Sequence, residues 1–304
     1  MRLKDAWTAL REAATGWVDD NATRLSAALA FYTILSIAPL FVIAIAIAGM
    51  AFGEEAATGA LTDQLRGLLG DAGAEVAKTT VEKADKPKAG TIATIIGIVT
   101  LLFGAAGVFG ELQGALNTIW NVKLKPGVGI WAKVKQRFLS FGMVLVIGFL
   151  LLVSLVMTTA LTAFGGYLEG QAPGVPTLMR LANFVLSFAV VAALFALIFK
   201  YLPDAQVAWK DVWFGALVTA ALFTVGKYLI GLYLGTAGVG TPFGAAGSMV
   251  AFVVWVYYSG LIVFFGAELT QVAAKRAGRE IKPAENAEPA DAKHDEKEPA
   301  ASPS

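Results

Sequence analysis

Six residues whose side chains could bind an ion, carry a proton or hold a polar head group occur in or beside long apolar segments. They are Arg24, Glu111, Asn117, Lys200, Asp211 and Glu268. A charged side chain inside a bilayer is costly unless a partner neutralises it, so such residues mark candidate functional sites. One interpretation is a single polar cluster in which Lys200 or Arg24 neutralises the two glutamates. The other is a set of structural ion pairs, or of side chains that extend to the lipid head groups.

A seventh candidate residue, Lys227, lies deeper in an apolar segment. At 1.5 Å per residue it stands about 22 Å beyond the start of that segment near residue 212. A functional role in the membrane and a long stem that reaches the outer head groups are both consistent with this position.

The composition restricts the chemistry that these residues can perform. The 304 residues include no cysteine, and the one histidine is His294. Cysteine nucleophiles and cysteine metal sites are therefore excluded, and no P-loop is present for ATP hydrolysis. We expect no catalytic residues, no metal site and no cofactor, and hence a protein that is not an enzyme. A formal net charge of +1 also argues against nucleic acid as a partner.

The elements that must position these residues are strongly apolar. Hydrophobic residues make up 57% of the chain and charged residues 15%, compared with about 25% charged residues in soluble domains. A transmembrane helix needs roughly 20 mostly apolar residues. The sequence therefore predicts an all-α polytopic membrane protein with six transmembrane helices. The predicted spans are 27–52, 89–113, 138–164, 180–201, 212–235 and 246–271.

The distribution of Lys and Arg predicts the orientation of these spans. The N-terminal arm, the loops after spans two and four and the C-terminal tail carry 17 of these residues. The remaining loops carry five, all in the loop between spans one and two. Because positive residues favour the cytoplasmic side, we expect both termini to be cytoplasmic, in a bacterial inner membrane.

Three regions outside the spans complete the predicted organisation. The arm, residues 1–25, has an apolar stripe at steps of three and four, which indicates an amphipathic helix on the membrane surface. A second amphipathic helix is predicted around 56–83, in the first outside loop, where it lies on the membrane or caps an opening. The transmembrane domain covers 26–275. The tail, 276–304, is rich in Ala, Pro, Glu and Lys, which predicts disorder.

Small residues and one proline mark where helices pack or bend. Glycine allows helix backbones to approach closely in lipid, although a glycine-lined translocation path is the alternative. The candidate packing glycines are Gly97, Gly104, Gly110, Gly114, Gly231 and Gly235. Pro39 removes a backbone hydrogen bond inside span one, with Ser36 close before it. We expect a helix kink at Pro39, either static or acting as a hinge.

Four segments, in this order along the chain, resemble the YihY/BrkB family of bacterial inner-membrane proteins. They are AALAFYTILSIAPL (Ala27–Leu40), LQGALNTIWNV (Leu112–Val122), LPDAQVAWKDVWFGAL (Leu202–Leu217) and GAAGSMVAFVVWVYYSGLIVFFGAEL (Gly244–Leu269). One departure is Phe243, where the family commonly has tyrosine. The resemblance implies six spans and an inner-membrane location, but no agreed biochemical activity. An older label of the family, ribonuclease BN, is disfavoured because metal-dependent RNA cleavage needs clustered ligands.

Two functions of different classes remain open. In the first, the protein moves or exports a small solute, an ion or a lipid across the membrane, using the polar residues named above. In the second, it is a structural or scaffold protein of cell-envelope assembly or resistance. The lipid bilayer is the one partner common to both hypotheses, and the sequence does not indicate an oligomeric state.

Overall fold

The computed structural model describes residues 3–53, 107–127, 175–236 and 247–290, together with single positions between 55 and 63 and at 150, 153 and 157. The helices are α1 (Leu3–Asp19), α2 (Ala22–Phe52), α3 (residues 107–119), α4 (Val175–Tyr201), α5 (Trp209–Thr236) and α6 (Gly247–Arg276). The strands are β1 (Val122–Leu124), β2 (Ala205–Gln206), β3 (Lys282–Pro283) and β4 (Ala287–Pro289).

Three helical stretches in the described part of the chain are long and apolar enough to cross a membrane. They are Thr177–Tyr201, Trp209–Leu229 and Val250–Arg276, and they coincide with predicted spans four, five and six. Helix α2 covers predicted span one and, with 31 residues, is about 46 Å long. Span three, most of span two and most of the predicted loop helix lie outside the described residues.

Helix α6 is the centre of the described bundle. It packs against α1, α2 and α5, while α4 packs against α5. The core joins aromatic and aliphatic side chains of α3, α4 and α6, with Phe199, Phe264, Leu116 and Ile119 almost completely buried. This dense packing fixes the directions in which the polar side chains of α6 point.

The α5–α6 contact is a reciprocal pairing of glycine with threonine. A Cβ at Gly215 would overlap Thr270 Oγ1, and a Cβ at Gly266 would overlap Thr219 Oγ1. Each threonine hydroxyl donates to the carbonyl four residues earlier in its own helix, at 2.7 Å for Thr219 and 2.9 Å for Thr270. The two helices therefore meet closely, with their hydroxyl groups satisfied internally.

Another close helix contact involves a glycine that is not among the predicted packing glycines. Gly260 of α6 lies against Ser26 of α2, where a Cβ would be 3.1 Å from the serine Cβ. No atom of the described residues comes within 4 Å of a Cβ built at Gly110 or Gly114, and both positions are exposed. The candidates Gly97 and Gly104 lie outside the described residues. Gly231 and Gly235 belong to the last turns of α5, where only the backbone is described.

Helix α2 continues through Pro39 without a break in its helical assignment. The side chain of Pro39 is outside the described part, and the predicted kink stays a prediction. Ser36, one turn earlier, is buried and lies near Gly107 of α3: a Cβ at that glycine would be 3.7 Å from Ser36 Oγ. The segment before the proline is thus a packed contact between α2 and α3.

The prediction of a disordered tail was wrong for residues 277–290. Strand β3 pairs antiparallel with β2, and β4 pairs antiparallel with β1. Further backbone bonds join Ala284 N to Asp204 O at 2.8 Å and Ala290 N to Asn121 O at 2.8 Å. The composition lacked a local apolar pattern, but the loops after α3 and after α4 supply hydrogen-bonding edges from elsewhere in the sequence. Residues 291–304 lie outside the described range.

The segments that charge counting assigned to one side are physically joined. The tail strands bind the loop after α3 through β1 and the loop after α4 through β2, and the arm helix α1 lies on α6. The four basic segments therefore assemble at one end of the described helices, which we call the basic end.

Candidate functional site: a polar cavity between α1 and α6

Helix α1 runs antiparallel to the second half of α6. Near its C-terminus, Trp17 Nε1 donates to the Leu261 carbonyl at 3.1 Å. Further towards its N-terminus, Glu12 accepts two hydrogen bonds from Arg276 at 3.0 and 3.1 Å. Small residues make this approach possible, because Ala9 and Ala13 are buried against α6. The arm helix is thus fixed to the membrane bundle along its length.

A cavity of about 890 Å³ opens beside this contact. Its walls come from α1, from the last turns of α6, from the turn after α3 and from the turn that leads to β3. On α6 the lining residues are Glu268, Gln271, Val272 and Lys275, which follow helical steps of three and four. One face of α6 therefore forms a continuous wall of the cavity.

Glu268 lies at the inner end of this wall. Only 2% of the residue is exposed, and Gly16 of α1 passes so closely that a Cβ there would be 2.6 Å from Glu268 Oε2. The Glu268 carboxyl lies beside that of Asp20, close enough for the two groups to interact. Within the described part of the chain, Glu268 Oε1 has no hydrogen-bond partner. The site thus contains two neighbouring carboxyls, and one buried oxygen of Glu268 has no partner among the described residues.

Asp20 occupies the turn between α1 and α2, where the following residue, Asn21, has a left-handed backbone with φ 54°. Burial raises the pKa of the Asp20 carboxyl, the hydrogen bond with Glu268 opposes that rise, and the Asp19 carboxylate adds to it. The proton of the Asp20 carboxyl is consequently held more firmly than that of a solvent-exposed aspartate.

Trp120 supplies a second buried polar atom to the cavity wall. The residue is 3% exposed, and its ring packs edge-on against Phe199 at 6.3 Å between centroids. Gln271 Nε2 donates to the Ile119 carbonyl at 2.7 Å and so fixes this turn to α6. No described residue accepts a hydrogen bond from Trp120 Nε1. A donor and an acceptor are therefore both unused in the wall of one cavity.

Charged residues surround the outer part of the cavity. Arg279 forms a bidentate ion pair with the buried Asp211, and the hydrogen bond from its Nε measures 2.9 Å. Arg276 is similarly paired with Glu12. Arg11 and Lys275 also line the cavity, and neither forms an ion pair with any residue in the described ranges. Two cations at the outer part of the cavity thus remain available to a ligand.

The predicted polar cluster is not one cluster in this structure. Only Glu268 lines the cavity, and neither Lys200 nor Arg24 is hydrogen-bonded to it. Asp211 reaches the cavity wall indirectly, through Arg279. Arg24 is exposed, and Glu111 is half-buried on α3.

Asn117 and Lys200 stabilise the loop between α4 and α5. Asn117 donates to Asp204 Oδ2 at 2.7 Å and accepts from the Asp204 backbone N–H at 2.8 Å. Lys200 donates to the Val207 carbonyl, and its ammonium lies 5.8 Å from the centroid of the Trp209 ring. These two predicted site residues are therefore bound to the loop that carries β2.

Lys227 lies in the middle of α5, away from the cavity. Its ammonium is 5.5 Å from the centroid of the neighbouring Tyr228 ring, and the side chain is half-buried. The question of a deep functional charge stays a prediction at this position.

Sequence reasoning missed three residues of the site: Gly16, Asp20 and Trp120. Asp20 lies in the run Asp19–Asp20–Asn21, which resembles a polar helix end, and Trp120 resembles an interfacial anchor. One signal was available for Gly16: the apolar stripe of the arm leaves Ala9, Ala13 and Gly16 on another face, at steps of four and three.

Comparisons with known proteins agree on one family. The family model described as "Virulence factor BrkB" matches residues 13–291, a range that includes both tail strands. A UPF0761 membrane protein of Verminephrobacter eiseniae is 31% identical over 264 residues, covering 83% of this chain and 58% of the relative. One of Rhodospirillum centenum is 30% identical over 283 residues, covering 91% and 60%.

A further relative, from Pseudomonas aeruginosa, is 31% identical and covers 83% of this chain. The chain spans about three fifths of the length of these curated relatives. No solved structure matches. The family match covers most of the chain and agrees with the resemblance carried by the four segments. The chain therefore belongs to the YihY/BrkB family of membrane proteins, whose family model is described as virulence factor BrkB.

Proposed function

We propose that this membrane protein moves or exports a small solute, an ion or a lipid across the bacterial inner membrane, with the α1–α6 cavity as the cytoplasmic end of its path. The observation that supports this proposal is Glu268: a carboxyl that is almost fully buried, with one oxygen unpartnered among the described residues, in the wall of a cavity of about 890 Å³. Leaving a buried polar atom unsatisfied costs about 1–3 kcal/mol. A passing ligand that bonds this atom would offset that cost.

Exposed aromatic residues at the basic end support a position for the membrane surface. Tyr201, Trp209 and Trp213 are exposed and packed on one another where α4 ends and α5 begins. Such aromatic belts lie at lipid head groups. Because the basic segments are expected on the cytoplasmic side, we place this belt in the cytoplasmic leaflet.

Helix α1 fits the same placement. Trp7 is 70% exposed, and Leu10 and Val18 are exposed as well, at steps of three and eight that keep them on one side of the helix. This apolar side would insert between head groups, while the opposite side holds Gly16 against Glu268. The cavity then opens at the level where cytoplasm and lipid head groups meet, so both water-soluble and lipid ligands have access.

The scaffold hypothesis is favoured by a separate observation, the ordered tail. Strands β3 and β4 join the loops after α3 and α4 into one surface at the basic end. Such a surface suits a partner protein. A scaffold, however, requires no unpartnered carboxyl in a cavity, and the two hypotheses therefore differ in what they predict for Glu268.

The test is transport by purified protein reconstituted into liposomes. Two readouts are used. Dithionite quenching of NBD-labelled phospholipids reports lipid movement, and entrapped pyranine reports proton-linked movement of a solute or an ion. The variants are Glu268→Gln, which keeps the shape but removes the charge, and Glu280→Gln, which changes an exposed carboxylate at the same cavity.

We expect movement above protein-free liposomes in at least one readout, its loss in Glu268→Gln and its retention in Glu280→Gln. Equal amounts of inserted protein are confirmed by gel for each preparation. Wild-type liposomes that match protein-free ones in both readouts would overturn the proposal, as would full activity of Glu268→Gln.

A further inference from the structure

The unpaired charges of the cavity are sorted along its length. At the inner end lie Glu268, its partner Asp20 and the neighbouring Asp19, whose charge acts on both. Farther from Glu268 lie Arg11 and Lys275, two cations without an ion pair among the described residues, and the exposed carboxylate of Glu280. Lys275 follows Glu268 by two helical turns, or about 10 Å, and its side chain leans towards the N-terminus of α6 and thus towards Glu268. The cavity therefore has an acidic inner end and an outer end where these two cations outnumber the one carboxylate.

The acidic end requires a hydrogen-bond donor that carries positive charge. The carboxyls of Asp19, Asp20 and Glu268 lie together there, and Glu268 Oε1 has no hydrogen-bond partner among the described residues. In the described ranges, no group of three or more acidic, His or Cys side chains is arranged to hold a metal ion. A primary ammonium brings its own N–H donors and neutralises one charge, so it fits this end of the cavity.

The remaining groups require acceptors that carry negative charge. Trp120 Nε1 is a donor without a described acceptor, and the Arg11 and Lys275 side chains offer further N–H donors. A phosphate group has the charge and the acceptor oxygens that these groups lack. A ligand that joins an ammonium to a phosphate by a short linker would satisfy both ends, and the cavity volume of about 890 Å³ lies within the range typical of small-molecule sites.

We propose that the cavity binds an ethanolamine phosphate group, with its ammonium on Glu268 and its phosphate towards Lys275 and Arg11. This group has two sources, the head group of phosphatidylethanolamine and the free zwitterion glycerophosphoethanolamine. The inference deepens the proposed function by naming a cargo class, but it concerns binding and is tested without transport.

Phosphatidylcholine is the matched chemical control. It has the same charges and the same phosphate, but its trimethylammonium group has no N–H to donate to Glu268 Oε1. Phosphatidylglycerol lacks the cation altogether. A preference for phosphatidylethanolamine over phosphatidylcholine therefore isolates the hydrogen bond at the acidic end.

The experiment is native mass spectrometry of the full-length protein in detergent, titrated with the dioctanoyl form of each of the three lipids. We expect phosphatidylethanolamine to bind about tenfold more tightly than phosphatidylcholine, since hydrogen bonds to charged groups contribute about 1.5–3 kcal/mol. Glu268→Gln should remove that preference. Lys275→Gln should weaken both lipids alike because both carry the phosphate. Glu285→Gln, which changes an exposed carboxylate outside the cavity lining, should change neither. Equal binding of the two lipids by wild-type protein would overturn the inference, as would an unchanged preference in Glu268→Gln.

A competition experiment distinguishes the two sources of the ethanolamine phosphate group. If glycerophosphoethanolamine displaces the bound lipid, the head group alone carries recognition and the free zwitterion is a ligand. If it does not, while the lipid preference holds, the membrane lipid is the ligand. A preference for phosphatidylethanolamine without movement in liposomes would support this binding site and contradict the transport proposal. Movement in liposomes without this preference would support transport and contradict the binding site.

Discussion

Helix α6 has two faces that treat polar atoms in opposite ways. Towards α5, Gly266 and Thr270 meet Thr219 and Gly215 so closely that no further atom fits, and both hydroxyls bond their own helix. Towards α1, only two residues from Gly266 along the chain, Glu268 faces the cavity with an oxygen that no described residue bonds. The α5 face provides close helix–helix packing, whereas the α1 face keeps a hydrogen-bond acceptor available to a ligand.

The difference shows how one helix can serve both stability and binding. Two residues apart on a helix means about 200° of rotation, so neighbouring positions in the sequence belong to opposite faces. A satisfied, close-packed face holds α6 rigid. Against that rigid support, the other face can hold Glu268 buried beside Gly16 and Asp20 without collapse of the cavity.

The largest effect is expected from Gly215→Ala on the α5 face. The new Cβ would overlap Thr270 Oγ1 and lie 2.8 Å from the Gly266 carbonyl oxygen, which is backbone and cannot rotate away. Overpacking of this kind costs about 1–3 kcal/mol, and we expect the upper end. A fall in the melting temperature of the detergent-purified protein measures it. Gly114→Ala, at an exposed helical position, is the control and should leave the melting temperature unchanged or higher.

A smaller loss of stability is expected from the same substitution on the α1 face, Gly16→Ala. Its Cβ would meet Glu268 Oε2 at 2.6 Å, but that oxygen ends a side chain that can move into the cavity. We expect a loss of about 1 kcal/mol, together with weakened ligand binding as Glu268 is displaced from Asp20. If Gly16→Ala destabilised the protein more than Gly215→Ala, the α1 face would be the tighter one, and the comparison would be reversed.

The smallest effect on stability is a pH dependence that belongs to the α1 face alone. Because the pKa of Asp20 is raised in the folded protein, protonation of this carboxyl stabilises the fold. The full stabilisation is present below the ordinary aspartate pKa of 3.8. That contribution is lost as the pH rises through the folded value. Replacement by asparagine removes one titrating group, so Asp20→Asn should show a shallower loss of melting temperature as the pH rises above 3.8.

The size of this effect is bounded, because one proton accounts for at most about 1.4 kcal/mol per pH unit. Glu280→Gln, which alters an exposed carboxylate at the same cavity, should keep the wild-type slope. A slope in Asp20→Asn as steep as in wild type would show that burial does not raise the pKa of Asp20 in the folded protein.

The sequence predicted the helices better than the site. Apolar length alone indicated the spans that contain Lys200, Lys227 and Glu268, and charge counting grouped the four segments that the structure joins at the basic end. Depth in the membrane, however, does not determine which way a side chain points. Asn117 and Lys200 lie at the predicted end of their helices, but they are bonded to the loop that carries β2 rather than to Glu268.

Long-range contacts account for the rest of what the sequence did not indicate. The composition of residues 282–289 contains no strand pattern, because the hydrogen bonds that order this stretch come from β1 and β2, more than 70 residues away. Asp20 becomes a partner of Glu268 because Gly16 allows α1 to approach α6. Both contacts depend on how distant segments meet, which periodicity and composition do not encode.

Cysteine labelling tests the contrast between the two faces of α6 most directly. The chain contains no native cysteine, so Glu268→Cys and Thr270→Cys each introduce a single thiol, two positions apart. Inside-out membrane vesicles are treated with a membrane-impermeant maleimide, and labelling is compared with that of the denatured protein. We predict that Glu268→Cys is labelled through the cavity and that Thr270→Cys is protected by Gly215. Equal labelling at both positions, or protection at position 268 alone, would contradict a ligand-accessible cavity on the α1 face.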